Sequence, residues 1–361
     1  MIDFLLGILG PVAAFILLVV PLIVIHELGH LFAARLRGID VPEFGIGFPP
    51  RLFTLLRGHR TELTINALPL GGFVRMAGSE EGDNDPAGWE RATISSKVLV
   101  MVAGVAMNAL VAFLLMLVLA GPLAERASIR IAQVQPGSPA AKAGILPGDR
   151  IVGVDGETFD RFDAPLSSLP GRAGTSVLIT VVTPGDDERT IPITLRTAEE
   201  AAGKGFMGVE IASIDSAGPL SRSFAESAAL AARRTWEAGT AILGALGDFV
   251  SSPFRADTAG GGVAGPIGIA VGVSAAAGEI GIVGLLHIAA LLSANLAVLN
   301  LLPIPPLDGG RVAVLYLRRI LGESRGRTLE RRLVTVGAVL MLSLFAWISL
   351  GDILNLFGVE R

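Results

Sequence analysis

The chain contains no cysteine among its 361 residues. This absence excludes disulfide bonds, thiolate metal ligands and a cysteine nucleophile. Charged residues are scarce, at 17% of the chain, and aromatic residues make up only 6%. Hydrophobic residues reach 51%, and the mean hydropathy is +0.63. This composition is too apolar for an ordinary soluble protein.

Charge is missing from four long runs, and only His287 interrupts the third: Phe4 to Ile25, Val98 to Ala120, Ile280 to Leu307 and Leu333 to Gly351. A helix of ~20 apolar residues crosses the ~30 Å hydrocarbon core of a bilayer. Buried core helices are the alternative, but they seldom stay uncharged for so long. The runs therefore predict four membrane spans, at 4–34, 96–121, 280–307 and 333–356.

Arginine and lysine are concentrated in residues 34–97, between the first two spans, and arginine in residues 308–332, between the last two. Loops rich in these residues face the cytoplasm. The N-terminus, the 121–279 segment and the C-terminus are then extracytoplasmic. The prediction is a multi-pass protein of the inner (plasma) membrane. Net charge is only −4, and nothing in the chain indicates a nucleic-acid partner.

The long external segment begins with short alternating stretches that predict strands at 129–134, 151–154, 177–182 and 190–195, separated by Pro-Gly and Asp-Gly turns. The sequence from Pro136 to Ile151, followed by Val154-Asp155-Gly156, resembles that of a bacterial PDZ domain, and the resemblance covers 126–213. The resemblance implies an edge strand that binds a peptide or a C-terminus, or a domain that excludes bulky substrates. A small β barrel that only supports the assembly is the alternative.

An alanine-rich stretch from Ser221 to Phe249 follows and predicts a helix along the membrane surface. Three glycines at 260–262 then predict a flexible link ahead of the third span.

The first span ends in His26-Glu27-Leu28-Gly29-His30. Two histidines four residues apart lie on one face of a helix and can bind one metal ion, with the glutamate beside them to take a proton from metal-bound water. Such groups are costly in lipid, where an ionised side chain costs ~3 kcal/mol or more near the bilayer centre. A partner is therefore expected, unless this is an interfacial helix end facing water.

Catalytic zinc commonly has three protein ligands and one open position. His59, in a basic loop, and His287, alone on an apolar helix, are possible third ligands, but Asp308 is better placed. It follows the third run in Asn300-Leu301-Leu302-Pro303-Ile304-Pro305-Pro306-Leu307-Asp308-Gly309-Gly310, where three prolines break the helix. Irregular backbone at membrane depth occurs where it is buried in protein or lines a cavity.

These two motifs, in this order, resemble those of the site-2 protease family, the intramembrane zinc metalloproteases of regulated intramembrane proteolysis. The resemblance covers nearly the whole chain and points to the regulator-of-sigma-E type with a PDZ domain. It implies that His26, His30 and Asp308 hold Zn²⁺, and that Glu27 is the general base and acid. It also implies that Asn300 supports the site. Asn295, five residues before it, is a second candidate for a hydrogen bond to the unwound substrate backbone, and helix-to-helix hydrogen bonding is the alternative role for both.

Residues 61–76 alternate, turn at Pro69-Leu70-Gly71-Gly72, and alternate again from Phe73. They resemble the family's membrane-associated β hairpin, which implies that Gly71, Gly72 and Phe73 help to bind an extended substrate; an ordinary cytoplasmic hairpin is the alternative. In the second span, Gly104-Val105-Ala106-Met107-Asn108 has no proline after the glycine, which departs from the family's usual sequence motif.

The expected architecture is a polytopic α-helical membrane protein with an inserted β-rich domain. Residues 1–125 and 263–361 form the halves of the membrane protease, 126–213 the PDZ domain and 214–262 a connector. The expected substrates are single-span membrane proteins such as anti-sigma factors or residual signal peptides, cut towards the cytoplasmic side. A membrane scaffold with a degenerate metal site and a metal transporter are the rival functions.

Overall fold

The computed structural model describes residues 2–78, 88–160, 169–202, 204–251, 268–270, 273 and 281–356. The glycine link predicted at 260–262 lies outside this part of the chain. Two compact units are present, one made of Met1–Leu117 and Ala229–Arg361, the other of Val118–Ala228. The first holds the long apolar helices, and the second encloses the segment predicted as an external β domain.

The helices are α1 (Ile2–Leu36), α2 (Ile94–Ala120), α3 (Pro139–Lys142), α4 (Ala198–Ala201), α5 (Phe224–Ser251), α6 (Ile282–Leu301), α7 (Asp308–Leu321) and α8 (Glu323–Leu356). The strands are β1 (Glu43–Arg57), β2 (Glu62–Arg75), β3 (Glu125–Val134), β4 (Arg150–Val154), β5 (Glu157–Thr158), β6 (Ser176–Val182), β7 (Glu188–Thr194) and β8 (Val209–Pro219).

Helices α1, α2, α6 and α8 each contain a segment long and apolar enough to cross a membrane. The four predicted apolar helices are therefore confirmed, although the third is shorter than the predicted 280–307. Helix α6 ends at Leu301, and residues 302–307 form a non-helical turn before α7 begins at Asp308. Proline has no backbone N–H and cannot continue the helical hydrogen bonds, so the Pro303-x-Pro305-Pro306 run ends the helix.

Strands β1 and β2 are long and fold around each other. The start of β1, residues 43–46, lies between the two ends of β2: Ile46 faces Ile65 in parallel register and Gly72 in antiparallel register. The remainder of β1 pairs antiparallel with the start of β2, since Phe53 faces Ile65 and Arg57 faces Glu62. Four pairing segments thus arise from two strands.

The hairpin predicted for residues 61–76 is wrong in its pairing. The two ends of β2 do not pair with each other, because the start of β1 lies between them. Alternation along a strand reports which face is buried but does not report the partner. Here the partner is set by residues 43–46, which lie outside the predicted hairpin.

Glu43, on the first of these segments, ties the other three to it. Its carboxylate accepts hydrogen bonds from Thr64, Arg51 and Arg75 at 2.8, 2.6 and 3.2 Å. Burial by itself raises the pKa of Glu43, but the bonds from Thr64 and Arg51 outweigh it and hold that pKa below its ordinary value. The charged form of this carboxylate therefore stabilises the sheet.

The second unit is a six-stranded sheet in the order β7-β6-β4-β3-β8, with β5 paired to β4. All its pairings are antiparallel, and its core contains Ile129, Ile151, Ile179 and Val181, each almost fully buried. The four strands predicted from alternation are confirmed as β3, β4, β6 and β7. Their apolar residues alternate with exposed ones, as a one-sided core requires.

Helix α5 confirms the helix predicted for Ser221 to Phe249. Its start is set by Ser223 and Glu226: the Glu226 carboxylate accepts the Ser223 backbone N–H at 2.9 Å, and Ser223 Oγ accepts the Glu226 N–H at 3.3 Å. This reciprocal pair satisfies backbone groups that the first helical turn leaves unpaired.

Helices α1 and α2 cross at two glycines. A Cβ on Gly29 would lie 2.5 Å from the carbonyl oxygen of Ala103 and 2.9 Å from the Cα of Gly104. The colliding atoms are backbone and cannot rotate away. The close approach of the two helices therefore depends on the missing side chain.

Gly29→Ala is expected to destabilise the protein by ~1–3 kcal/mol, because overpacking must push α1 and α2 apart. Thermal unfolding in detergent measures the effect. The matched control is Gly244→Ala on α5, where a Cβ meets nothing within 4 Å and no loss of stability is expected. An unchanged melting temperature for Gly29→Ala would contradict the close crossing.

Candidate metal centre and catalytic cavity

His26 and His30 lie on one face of α1, as their spacing predicted. Their ring centroids are 4.7 Å apart, and their Nε2 atoms are 3.2 Å apart. Both residues are buried, with exposed fractions of 7% and 5%. The helix thus presents two ring nitrogens to one point inside the protein.

Asp308 reaches the same point from the other half of the chain. Its Oδ2 lies 3.0 Å from Nε2 of His26 and 3.2 Å from Nε2 of His30. The structure therefore brings together the three residues that the sequence motifs nominated. His59 is instead exposed in the turn between β1 and β2, and His287 is half-buried on α6.

The turn after α6 delivers Asp308. A Cβ on Gly309 would overlap the backbone of Leu301, and one on Gly310 would overlap the backbone of Pro305. The chain can therefore double back tightly only with glycines at these positions. Asp308 becomes the first residue of α7, directed by a turn rather than by a long helix.

The three atoms fit a zinc ion. Tetrahedral ligands at ~2.0–2.1 Å from zinc lie ~3.3–3.4 Å from one another, close to the observed 3.0–3.2 Å separations. Asp308 Oδ2 is fully buried, and among the described residues it makes no hydrogen bond of acceptable direction despite its two nitrogen neighbours. A buried oxygen in this state needs a partner, and a cation between the three atoms supplies one.

Helix α2 supports both histidines. The Nδ1 atom of His30 lies 2.7 Å from the carbonyl oxygen of Val100, and Nδ1 of His26 lies 3.2 Å from the side-chain amide of Asn108. Gly104 lies directly against the rings, since a Cβ there would be 2.5 Å from Nε2 of His30.

Sequence reasoning missed these α2 contacts. In the sequence, the Gly104 to Asn108 stretch stands out only as a departure from a family motif. One signal was present, because Asn108 is the sole strongly polar side chain in the uncharged run 98–120. Polar groups inside a span usually have a partner in the protein interior.

Glu27 lies beside the histidines at a cavity of about 160 Å³. The ligand-type atoms of His26, Glu27 and His30 all lie within 4.8 Å of one another. The other residues lining the cavity come from α1, α2, α6 and the β1–β2 sheet: Ile23, Phe48, Gly71, Gly72, Asn108, Leu296 and Asn300.

Of the residues proposed from the sequence to support the site or bind substrate, Gly71, Gly72 and Asn300 line this cavity. A Cβ on Gly72 would lie 3.1 Å from Cγ of Glu27 and 3.2 Å from the carbonyl oxygen of Gly45, so this strand lies directly against the glutamate. Phe73 points elsewhere, since its ring covers Gly45. Asn295 is half-buried on α6 and does not line the cavity.

Comparison with known proteins gives a consistent answer. Residues 14–344 match the profile of peptidase family M50. A candidate zinc metalloprotease of Agrobacterium fabrum is 32% identical over 372 aligned positions, which cover 97% of each chain. One of Synechocystis is 33% identical, covering 99% of this chain and 98% of its own.

A third candidate zinc metalloprotease, from Clostridium perfringens, is 31% identical over 338 aligned positions, covering 92% of this chain and 95% of its own. The profile spans most of the chain, and the relatives match it almost from end to end. The chain therefore belongs to peptidase family M50, the site-2 protease family.

Proposed function

We propose that the protein is a zinc-dependent endopeptidase that hydrolyses peptide bonds within the membrane. His26, His30 and Asp308 hold the metal, and Glu27 is the catalytic acid and base. The observation that carries this proposal is the convergence of two imidazole nitrogens and one carboxylate oxygen within 3.2 Å, between helices apolar enough to span a bilayer.

Zinc, when bound, polarises a peptide carbonyl and lowers the pKa of a bound water molecule. Glu27 takes the proton from the attacking water and gives it to the departing amine, so the amine leaves in neutral form. The cavity encloses the reacting groups between α1, α2 and α6, and Asn300 in its wall can donate a hydrogen bond to a substrate carbonyl.

An extended substrate strand fits beside Gly71 and Gly72. A transmembrane helix shields its own carbonyls, so it must unwind before hydrolysis, and its freed backbone groups then need partners. Residues 72–75 form an outer segment of the β1–β2 sheet, beside Glu27. Backbone hydrogen bonds from such an edge can hold an unwound segment next to the proton acceptor.

The proposed substrates are single-span membrane proteins, such as anti-sigma factors or residual signal peptides in regulated intramembrane proteolysis. The β domain is assigned as an extracytoplasmic PDZ domain, which binds a peptide or C-terminus or excludes bulky substrates. Its sheet ends in β8, an edge strand of the kind that accepts extended peptides. The arginine-rich loops support a cytoplasmic position for the β1–β2 sheet.

The first prediction concerns the metal. Purified wild-type protein should contain about one zinc per chain, and His26→Ala, His30→Ala and Asp308→Ala should each lose most of it, measured by mass spectrometry of the metal. His59→Ala is the matched control, because this histidine is exposed in the turn between β1 and β2. Normal zinc content in Asp308→Ala would move the third ligand elsewhere.

The second prediction concerns the proton. Glu27→Gln should keep its zinc and lose activity on a single-span reporter in proteoliposomes by ~10²–10⁴-fold, because an amide cannot accept the proton. Glu237→Gln, an exposed glutamate on α5, should retain activity. Cleavage by Glu27→Gln at near the wild-type rate would refute the mechanism. If the wild-type protein binds zinc but cleaves no reporter, the rival function of a membrane scaffold is favoured. If it carries zinc into vesicles, the rival function of a metal transporter is favoured.

The third prediction concerns topology, and the cysteine-free chain makes it easy to probe. His59→Cys in the β1–β2 turn and Asp187→Cys in the β domain are both exposed positions. An impermeant thiol reagent should label Asp187→Cys on intact spheroplasts and His59→Cys only after the membrane is opened. Labelling of both from one side would overturn the proposed orientation.

A further inference from the structure

The two metal-site histidines have different partners at Nδ1. For His30 the partner is the backbone carbonyl of Val100, which can only accept, so His30 carries its proton on Nδ1 and leaves Nε2 free. For His26 the partner is the side-chain amide of Asn108, which can either donate or accept. The tautomer of His26 therefore depends on which way this amide is turned.

As placed, Asn108 presents Nδ2 to Nδ1 of His26 at 3.2 Å. A donor in that position demands a lone pair on Nδ1, and a neutral ring would then carry its proton on Nε2. That proton would point at Asp308 and His30, where the metal lone pair is required. This orientation is incompatible with a metal held by His26 Nε2.

The second amide atom of Asn108 points to the same conclusion. Its Oδ1 makes no hydrogen bond within the described part of the chain. Since the whole residue is buried, solvent does not supply the missing partner either. The oxygen and nitrogen of an asparagine amide are assigned by their hydrogen bonds rather than by their shape. Turning the amide by half a rotation gives Oδ1 a partner at Nδ1 of His26.

We infer that Asn108 is a positioning residue whose side-chain oxygen accepts the Nδ1 proton of His26, so that Nε2 of His26 faces the metal. The inference rests on the proposed zinc site. Asn108 lies in the wall of the cavity, and in the turned orientation its amide nitrogen takes the position that Oδ1 has in the present one. Hydrogen bonds of this kind orient a metal-binding imidazole and raise its basicity.

A purely structural role for position 108 can be separated from this one. The backbone carbonyl of Asn108 accepts a hydrogen bond from Ser293 Oγ at 2.8 Å, which links α2 to α6. Ser293→Ala removes that link without touching His26. It is therefore the matched control for loss of helix contact at the same residue.

The test measures zinc affinity of the full chain in detergent by competition with a chelator, together with the visible spectrum of the cobalt-substituted protein. Asn108→Leu and Asn108→Ala have no acceptor and should bind zinc ~10–100-fold more weakly than wild type. Asn108→Asp can accept but cannot donate, and it should restore affinity and the tetrahedral cobalt spectrum. Ser293→Ala should bind zinc normally.

Asn108→Asp as weak as Asn108→Leu, or Asn108→Leu and Asn108→Ala as strong as wild type, would overturn the inference. If Asn108→Leu does not fold, Asn108→Ala and Asn108→Asp decide the matter. Failure of the inference also differs from failure of the proposed function. In the first case zinc binding still depends on His26 but not on the acceptor at position 108; in the second, wild type itself does not bind zinc through His26.

Discussion

Two imidazoles and a carboxylate share one small volume among apolar helices. The helix crossing and the turn before α7 bring these three groups together, and the β1–β2 sheet lies beside them. An isolated ionised group in hydrocarbon costs ~3 kcal/mol or more, so none of the three can stand alone. Asp308 Oδ2 lies within 3.2 Å of Nε2 of both His26 and His30, and a cation among the three atoms gives this buried oxygen a partner.

Small residues make the convergence possible. Gly29 and Gly104 let α1 and α2 approach until backbone touches backbone, and Gly104 leaves room for both rings. Gly309 and Gly310 let the chain double back after α6 and present Asp308. A methyl group at Gly104 would collide with both histidine rings, and one at Gly29, Gly309 or Gly310 would collide with the neighbouring backbone. The geometry of the site therefore depends on four glycines that have no functional group of their own.

The β1–β2 sheet serves the same centre from its other side. Glu43 joins all four of its segments through hydrogen bonds from Thr64, Arg51 and Arg75. That fixes the end of β2 so that Gly72 lies against Glu27. Glu27, the proposed proton acceptor, is thus bordered by helix on one face and by strand backbone on the other, an arrangement suited to an extended peptide.

The sequence by itself determined the features that depend on local spacing. Uncharged runs located the four apolar helices, alternation located strands β3, β4, β6 and β7, and a four-residue interval put His26 and His30 on one face. The resemblance carried by the proline-rich motif led to Asp308. Each of these follows from residues close together in the chain, so helical or strand periodicity was sufficient.

Only the tertiary structure decided which distant segments meet. Residues 43–46 separate the two ends of β2, which alternation within 61–76 could not reveal. Asn108 meets His26 across 82 positions and Val100 meets His30 across 70, on a helix that contributes none of the three converging ligand atoms. Phe73 turned to cover Gly45 while its neighbour Gly72 faced Glu27. Contacts of this range depend on helix crossing and strand order, and no periodicity along the chain encodes them.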